Sequence, residues 1–287
     1  MSDLEPITLQ LLFTKEEWDA AMPQLTKDMM DVLRRYRTPV FKDQGDYGDG
    51  WGTGGFVEID GSKFVLTNQH VATVRHDGDR LGIRYEAQED LVVLGGNHCE
   101  KAWPWDLAAI PVSNEAWTCI PHMAEAIAVD QIALAHTPYP EEIFALAGYA
   151  GEQTKFLFGG LAFGATTSLA KETELPEDDR WDSRFHFALS YNPDLATTVV
   201  GDRGLPTPPG LSGSIVWNTC FVEARALGLT WSPEMAKVAG VVWGWPSGLG
   251  FVVATRAEHV RSFLLGIPAA LAAVTMSGDA PSEPPLS

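Results

Sequence analysis

Two textures of apolar and polar positions divide the chain. Near the N-terminus Trp18, Met22, Leu25, Met29, Val32, Leu33 and Tyr36 recur at helical spacing, which lays one apolar stripe along an amphipathic helix. Thr14 to Glu17 has the Ser/Thr-x-x-Glu form of a capping box, in which hydroxyl and carboxylate each satisfy an orphan backbone N–H. Pro23 interrupts the stripe. A proline lacks the amide and crowds the preceding turn, so two helices are predicted, meeting there. Beyond about Gly55 short β-branched and aromatic runs alternate with turn residues: FVEID, KFVLTN, LVVLGG, LAAIPV, IFALAGYA, FHFALSY, SIVWN, VAGVVWGW and GFVVAT. No regular helical pattern separates them, as a parallel α/β sheet would require. Many short strands with Gly/Pro turns predict an antiparallel barrel or sandwich. Arg256 to Ala273 returns to helix-like composition, and SGDAPSEPPLS reads as a disordered tail.

Composition narrows the function classes. With 287 residues, 45% of them hydrophobic, the chain can bury one large core or two small ones. A net charge of −18 opposes non-specific nucleic-acid binding, which needs Lys and Arg to neutralise phosphate. The three cysteines, Cys99, Cys119 and Cys220, make no disulfide framework and have no metal-ligand spacing. His98-Cys99 stands without a matching second pair and is read as a non-ligand. No metal and no cofactor are expected. The N-terminus is acidic rather than basic, and no run approaches the ~20 apolar residues of a membrane span. Together with sparse thiols, this predicts a cytoplasmic protein.

One motif is discarded on context. Gly50 to Gly55 satisfies G-x-G-x-x-G. A dinucleotide site needs a strand before it and a helix after it; here the order is reversed. The glycines are expected to permit tight turns at the entry to a strand.

The chemistry lies in three short segments. Acyl transfer by serine needs a base to take the hydroxyl proton, a carboxylate to orient that base, and backbone amides to meet the oxyanion. FVLTNQHV places His70 at the end of an apolar strand, and WDLAAIPV places Asp106 at the start of another. GLSGS places Ser212 in a loop between glycines. The order His, Asp, Ser at workable separations makes the three together far more specific than any one.

These segments resemble those of the chymotrypsin-like (trypsin-like) serine proteases, the bacterial branch above all. The family patterns are matched by Gly52-Thr-Gly-Gly-Phe56, Leu66-Thr-Asn-Gln-His70-Val71, Asp106-Leu-Ala-Ala and Gly210-Leu-Ser212-Gly-Ser214-Ile. The resemblance covers about Gly50 to Leu264. It implies two antiparallel six-stranded β-barrels, so the expected fold is all-β, with the N-terminal helical extension and C-terminal helix read above added to it and the N-terminal helices extra to the family pattern. The implied organisation is an extension over 1–48, a first barrel over 49–128 with His70 and Asp106, and a second over 129–256 with Ser212. A helix over 257–275 and a disordered tail over 276–287 complete it. The amides of Gly210 and Ser212 would form the oxyanion hole. Pro206, Leu211, Val242, Trp243, Gly244 and Gly250 would frame the substrate pocket. Pro206, six before Ser212 where trypsins place an acid, disfavours a Lys/Arg pocket, although Asp202 or Arg203 could reach in. Ser214-Ile215 departs from the usual Gly-Pro, and Asn218 to Lys237 is long for the family.

The implied function is a serine endopeptidase acting on protein substrates through an acyl-enzyme. It would be restrained by an activating or inhibiting protein partner or by narrow specificity. The alternatives are a catalytically silent binding protein on the same fold and an esterase-like hydrolase.

Overall fold

Thr14 opens the first helix as its capping box predicts: Glu17 N–H donates to Thr14 Oγ1 at 3.1 Å, and Thr14 N–H donates to Glu17 Oε2 at 2.9 Å. The computed structural model describes residues 12–43, 48–86, 88, 91–151, 155–157, 160–162, 164–198 and 204–278. Helix α1 (Lys15–Tyr36) runs through Pro23 without dividing. Pro23 costs the helix ~3 kcal/mol. Burial of Leu25, Met29 and Leu33 on one face, worth about 1.5–3 kcal/mol each, outweighs it.

Residues 37–43, assigned to the helical extension by their sequence, are instead strand β1 (Arg37–Asp43). It heads a sheet that also holds β2 (Gly48–Ile59), β3 (Ser62–Thr67), β4 (Arg80–Ile83), β5 (Val92–Val93), β6 (Cys99–Lys101), β7 (Leu107–Val112) and β8 (Ile127–Ala128). The strand order is β5-β4-β1-β2-β3-β7-β6, with β8 parallel to β2. Among the described residues this first sheet has eight strands and no pairing between its end strands β5 and β6, where a closed six-stranded barrel was expected. Between β3 and β4 lie the one-turn helix α2 (Gln69–Ala72) and a 3-10 turn (Thr73–Asp77), and α3 (Asn114–Cys119) follows β7.

The second unit closes with six strands, as expected. These are β9 (Ile143–Gly148), β12 (Thr166–Thr173), β13 (His186–Ser190), β14 (Ile215–Asn218), β15 (Lys237–Gly244) and β16 (Phe251–Arg256). Their order around the barrel is β12-β13-β16-β15-β14-β9. A small hairpin, β10 (Lys155–Leu157) and β11 (Gly160–Ala162), stands apart. The long 218–237 segment folds around helix α4 (Phe221–Ala226), and helix α5 (Ala257–Gly278) ends the described chain. Residues 279–287, most of the expected tail, lie outside the described residues.

Side-chain alternation joins the two units. Along β7, Ala108 and Ile110 enter the core of the first sheet, while Leu107 and Ala109 enter a core shared with the second unit. On β14, Val216 enters the barrel interior, while Ile215 and Trp217 enter the shared core. That shared core is completed by Leu25, Met29 and Leu33 of α1 and by Val260, Leu264 and Ile267 of α5. The N-terminal helix and the 218–237 segment also pack on each other. Arg225 of α4 binds Glu17 at 2.8 Å and the Leu12 carbonyl at 3.1 Å. No helix among the described residues is long and apolar enough to cross a membrane.

The glycines of β2 lie within the strand rather than at turns before it. A Cβ on Gly54 would overlap Val65, and one on Gly55 would overlap Ile215. They allow β2 to approach both β3 and the second unit.

Candidate active site

Strand β3 ends at Thr67, and the chain turns at Asn68 into α2, so His70 lies on a one-turn helix just past the strand. Asp106 precedes β7 in a left-handed conformation (φ 45°), which aspartate tolerates better than most residues. The two side chains meet. His70 Nδ1–H donates to Asp106 Oδ2 at 2.7 Å, and the His70 backbone N–H donates to Asp106 Oδ1 at 3.0 Å. Both carboxylate oxygens are therefore committed to His70. The assignment leaves Nε2 as the basic nitrogen. Asp106 is 8% exposed, whereas the His70 side chain is 48% exposed. The buried carboxylate is thus sheltered behind a half-exposed imidazole.

The Asp106 turn is held from the second unit, through contacts with no local signal in the chain. His186 of β13 is buried and uses both ring nitrogens: Nδ1 accepts from Asp182 N–H at 3.0 Å, and Nε2–H donates to the Pro104 carbonyl at 2.7 Å. Thr255 Oγ1 of β16 donates to the Trp105 carbonyl at 2.9 Å. From the first unit, Asn68 Nδ2 donates to the Asp106 carbonyl at 2.9 Å. Burial pushes the His186 imidazole below its ordinary pKa. This suits a ring that must be neutral to accept at one nitrogen and donate at the other.

The Ser212 loop is built from two successive turns. Leu211 N–H donates to the Pro208 carbonyl at 2.9 Å, and Ser214 N–H donates to the Leu211 carbonyl at 2.9 Å. Each turn has a glycine at its third position with positive φ, Gly210 at 98° and Gly213 at 89°, the φ sign of a type II turn. A Cβ on Gly210 would stand 2.5 Å from the Tyr149 carbonyl, and one on Gly213 would overlap the Thr53 carbonyl. Glycine is demanded at both positions by φ and by space.

These turns fix the orientation of two peptide planes. The Pro209 carbonyl accepts from Gly151 N–H at 2.8 Å, so the Gly210 N–H on the same plane points the other way. The Leu211 carbonyl is held by Ser214, so the Ser212 N–H is likewise turned away. Among the described residues neither the Gly210 nor the Ser212 amide donates to a protein acceptor.

Thr53 of β2 fastens this loop to the first unit. Its N–H donates to the Ser212 carbonyl at 2.8 Å, and its hydroxyl donates to the Gly210 carbonyl at 2.8 Å. The same hydroxyl accepts from Tyr149 N–H at 3.0 Å, and the Thr53 carbonyl accepts from Thr67 Oγ1 at 2.8 Å. Thr53 and Asn68 lie inside motifs singled out by resemblance, but their roles as fasteners emerge only from the fold. No hydrogen bond joins Ser212 Oγ to His70 among the described residues.

The expected pocket residues divide. Leu211 and Val242 are buried in the interior of the second barrel. Both backbone groups of Val242 are taken, by Gly213 N–H at 2.8 Å and by the Ser214 carbonyl at 2.9 Å. Pro206 is buried, with its carbonyl held by Tyr191 Oη at 2.9 Å. Trp243, Gly244 and Gly250 are half-buried. Trp243 occupies a bulge in the pairing of β15 with β16, which takes its backbone out of the ladder. Asp202 and Arg203 lie outside the described residues.

No protein-family model matches the chain, and no curated protein sequence matches it. Among solved structures it is similar to the active form of the Rv3671c protease from M. tuberculosis. That match has 16% identity and a TM-score of 0.49, and covers 85% of this chain and 86% of that one. The inactive form of an Rv3671c mutant, at 16% identity and TM-score 0.49, is covered over 94% of its length by 86% of this chain. The serine protease domain of the Sesbania Mosaic Virus polyprotein matches at 12% identity and TM-score 0.43, over 80% of this chain and 92% of that domain.

Proposed function

We propose that the chain is a serine endopeptidase in which Ser212 is the nucleophile, His70 the general base and Asp106 the residue that orients it. The observation that carries this reading is the His70–Asp106 pair with Nε2 left free, on the unit to which Thr53 fastens the Ser212 turn. His70 Nε2 takes the proton from Ser212 Oγ as Oγ attacks the scissile carbonyl. The Gly210 and Ser212 amides meet the oxyanion, and His70⁺ then protonates the leaving amine. Water repeats the sequence on the acyl-enzyme.

An extended substrate would lie against β15 at Trp243, where the bulge takes the backbone out of the ladder, adding a strand there. The residue preceding the cut bond would be uncharged, because Pro206 supplies no acid. Restraint of such a protease falls to a protein partner or to this selectivity, and its setting is cytoplasmic.

Fluorophosphonate labelling coupled to a peptide library tests the reading. The wild type labels at Ser212 and cleaves peptides, while Ser212→Ala loses both, with turnover down by about 10⁶-fold. Cleavage that survives in Ser212→Ala defeats the mechanism. Ester-only turnover would make the chain an esterase.

A further inference from the structure

We infer that His76, His98 and Glu100 form a binding site for a divalent transition-metal cation, with zinc the best match. The sequence alone sets His98 aside because no second ligand pair lies near it in the chain. The fold supplies the partners. His76 lies on the 3-10 turn after α2, and His98 and Glu100 flank Cys99 at the start of β6. One ligand atom from each of the three lies within 4.8 Å of the others.

The Glu100 carboxylate lies between the two rings, with one oxygen towards each. His98 Nε2 is 3.1 Å from Glu100 Oε2, and His76 Nε2 is 3.4 Å from Glu100 Oε1. In a tetrahedral site with bonds of about 2.0–2.1 Å, neighbouring ligand atoms stand about 3.3 Å apart. The two imidazoles are stacked, with centroids 5.6 Å apart and planes at 28°. Side-chain exposure rises from 13% at His98 through 28% at Glu100 to 50% at His76. The site is thus closed behind and open in front, where water would complete the coordination.

Two imidazoles and one carboxylate are a donor set for zinc, not for calcium or magnesium, which prefer oxygen alone. The frame is already braced: Arg75 Nη2 donates to the Gly96 carbonyl at 2.8 Å, joining the 3-10 turn to the loop before His98. A chain of net charge −18 also draws cations towards it. Metal binding uses the Nε2 lone pairs, with each ring proton residing on Nδ1.

Calorimetric titration of the full chain with zinc sulfate alone, at about pH 7.5, should give one ion bound per chain. His76→Ala and Glu100→Gln should each weaken that binding at least ~30-fold. His76 is half exposed, so its loss should leave the circular dichroism spectrum unchanged. Zinc at about 100 times the dissociation constant should raise the wild-type melting temperature by ~5 °C, and that of His76→Ala by far less. Absence of saturable binding overturns the proposal, as does binding that both substitutions leave unchanged. None of these readouts depends on peptide cleavage, so a failure here and a failure of the protease reading are separable.

Discussion

The two units hold their shares of the site by different means. In the first, side chains do the holding: both Asp106 oxygens engage His70, and Asn68 fastens the Asp106 carbonyl. In the second, the backbone does it: two positive-φ glycines and their turn hydrogen bonds aim the Ser212 loop. A half held by side chains fails when a hydrogen-bonding group is altered without change of shape. A half held by backbone fails when atoms are added. The distinction predicts which class of substitution each half will not tolerate.

The largest expected effect tests the side-chain half. Asp106→Asn preserves shape but removes the carboxylate that fixes the His70 tautomer. Turnover should fall about 10⁴-fold while the melting temperature stays near that of the wild type. A loss under tenfold would show that His70 does not depend on Asp106. The backbone half should answer differently. Gly213→Ala adds one methyl where φ is 89° and Thr53 already stands, so it should cost stability itself, about 3 kcal/mol or more in urea unfolding. An unchanged unfolding midpoint would break the comparison.

The smallest effect concerns the link between the halves. His186→Phe leaves the Pro104 carbonyl and Asp182 N–H unpaired, at a cost of about 1–3 kcal/mol. It should also change the response to pH. Burial holds the His186 pKa below its ordinary 6.5, so in acid the unfolded chain binds the proton more readily than the folded one. The stability of the neutral ring is complete above about pH 6.5 and is lost as pH falls through the lower folded value. Unfolding midpoints at about pH 7.5 and 5.5 should therefore differ more in the wild type than in His186→Phe. Equal differences would remove His186 as a source of the slope.

How much of this was legible depended on whether the signal was local. The capping box, the strand runs and the His, Asp and Ser segments are local, and each appears where its residues predict. Strand β1 was hidden because Pro39 is a poor strand residue and the helical stripe runs on to Tyr36. The β2 glycines looked like turn residues because their real reason, the neighbouring Val65 and Ile215, lies far off in sequence. Ser214-Ile215 becomes intelligible in the same way. Ile215 packs over Gly55, and Ser214 Oγ fills the space that a Cβ on Gly148 would occupy. His186 and Thr255 gave no signal because a buried histidine or threonine on a strand announces nothing about the carbonyl it will meet. Of the residues expected to frame a pocket, resemblance named Leu211 and Val242, but both are buried in the second barrel, Val242 by its place on β15 and Leu211 from its turn.

The glycines of β2 have one more consequence, for how slowly the joint opens. Thr53 N–H is bonded to the Ser212 carbonyl across a seam where backbone meets backbone, with no bulky side chain to rotate aside. Local fluctuation offers that amide no route to solvent short of parting the two units. In deuterated water the Thr53 amide should exchange among the slowest in the molecule, at a rate that follows global unfolding rather than loop motion.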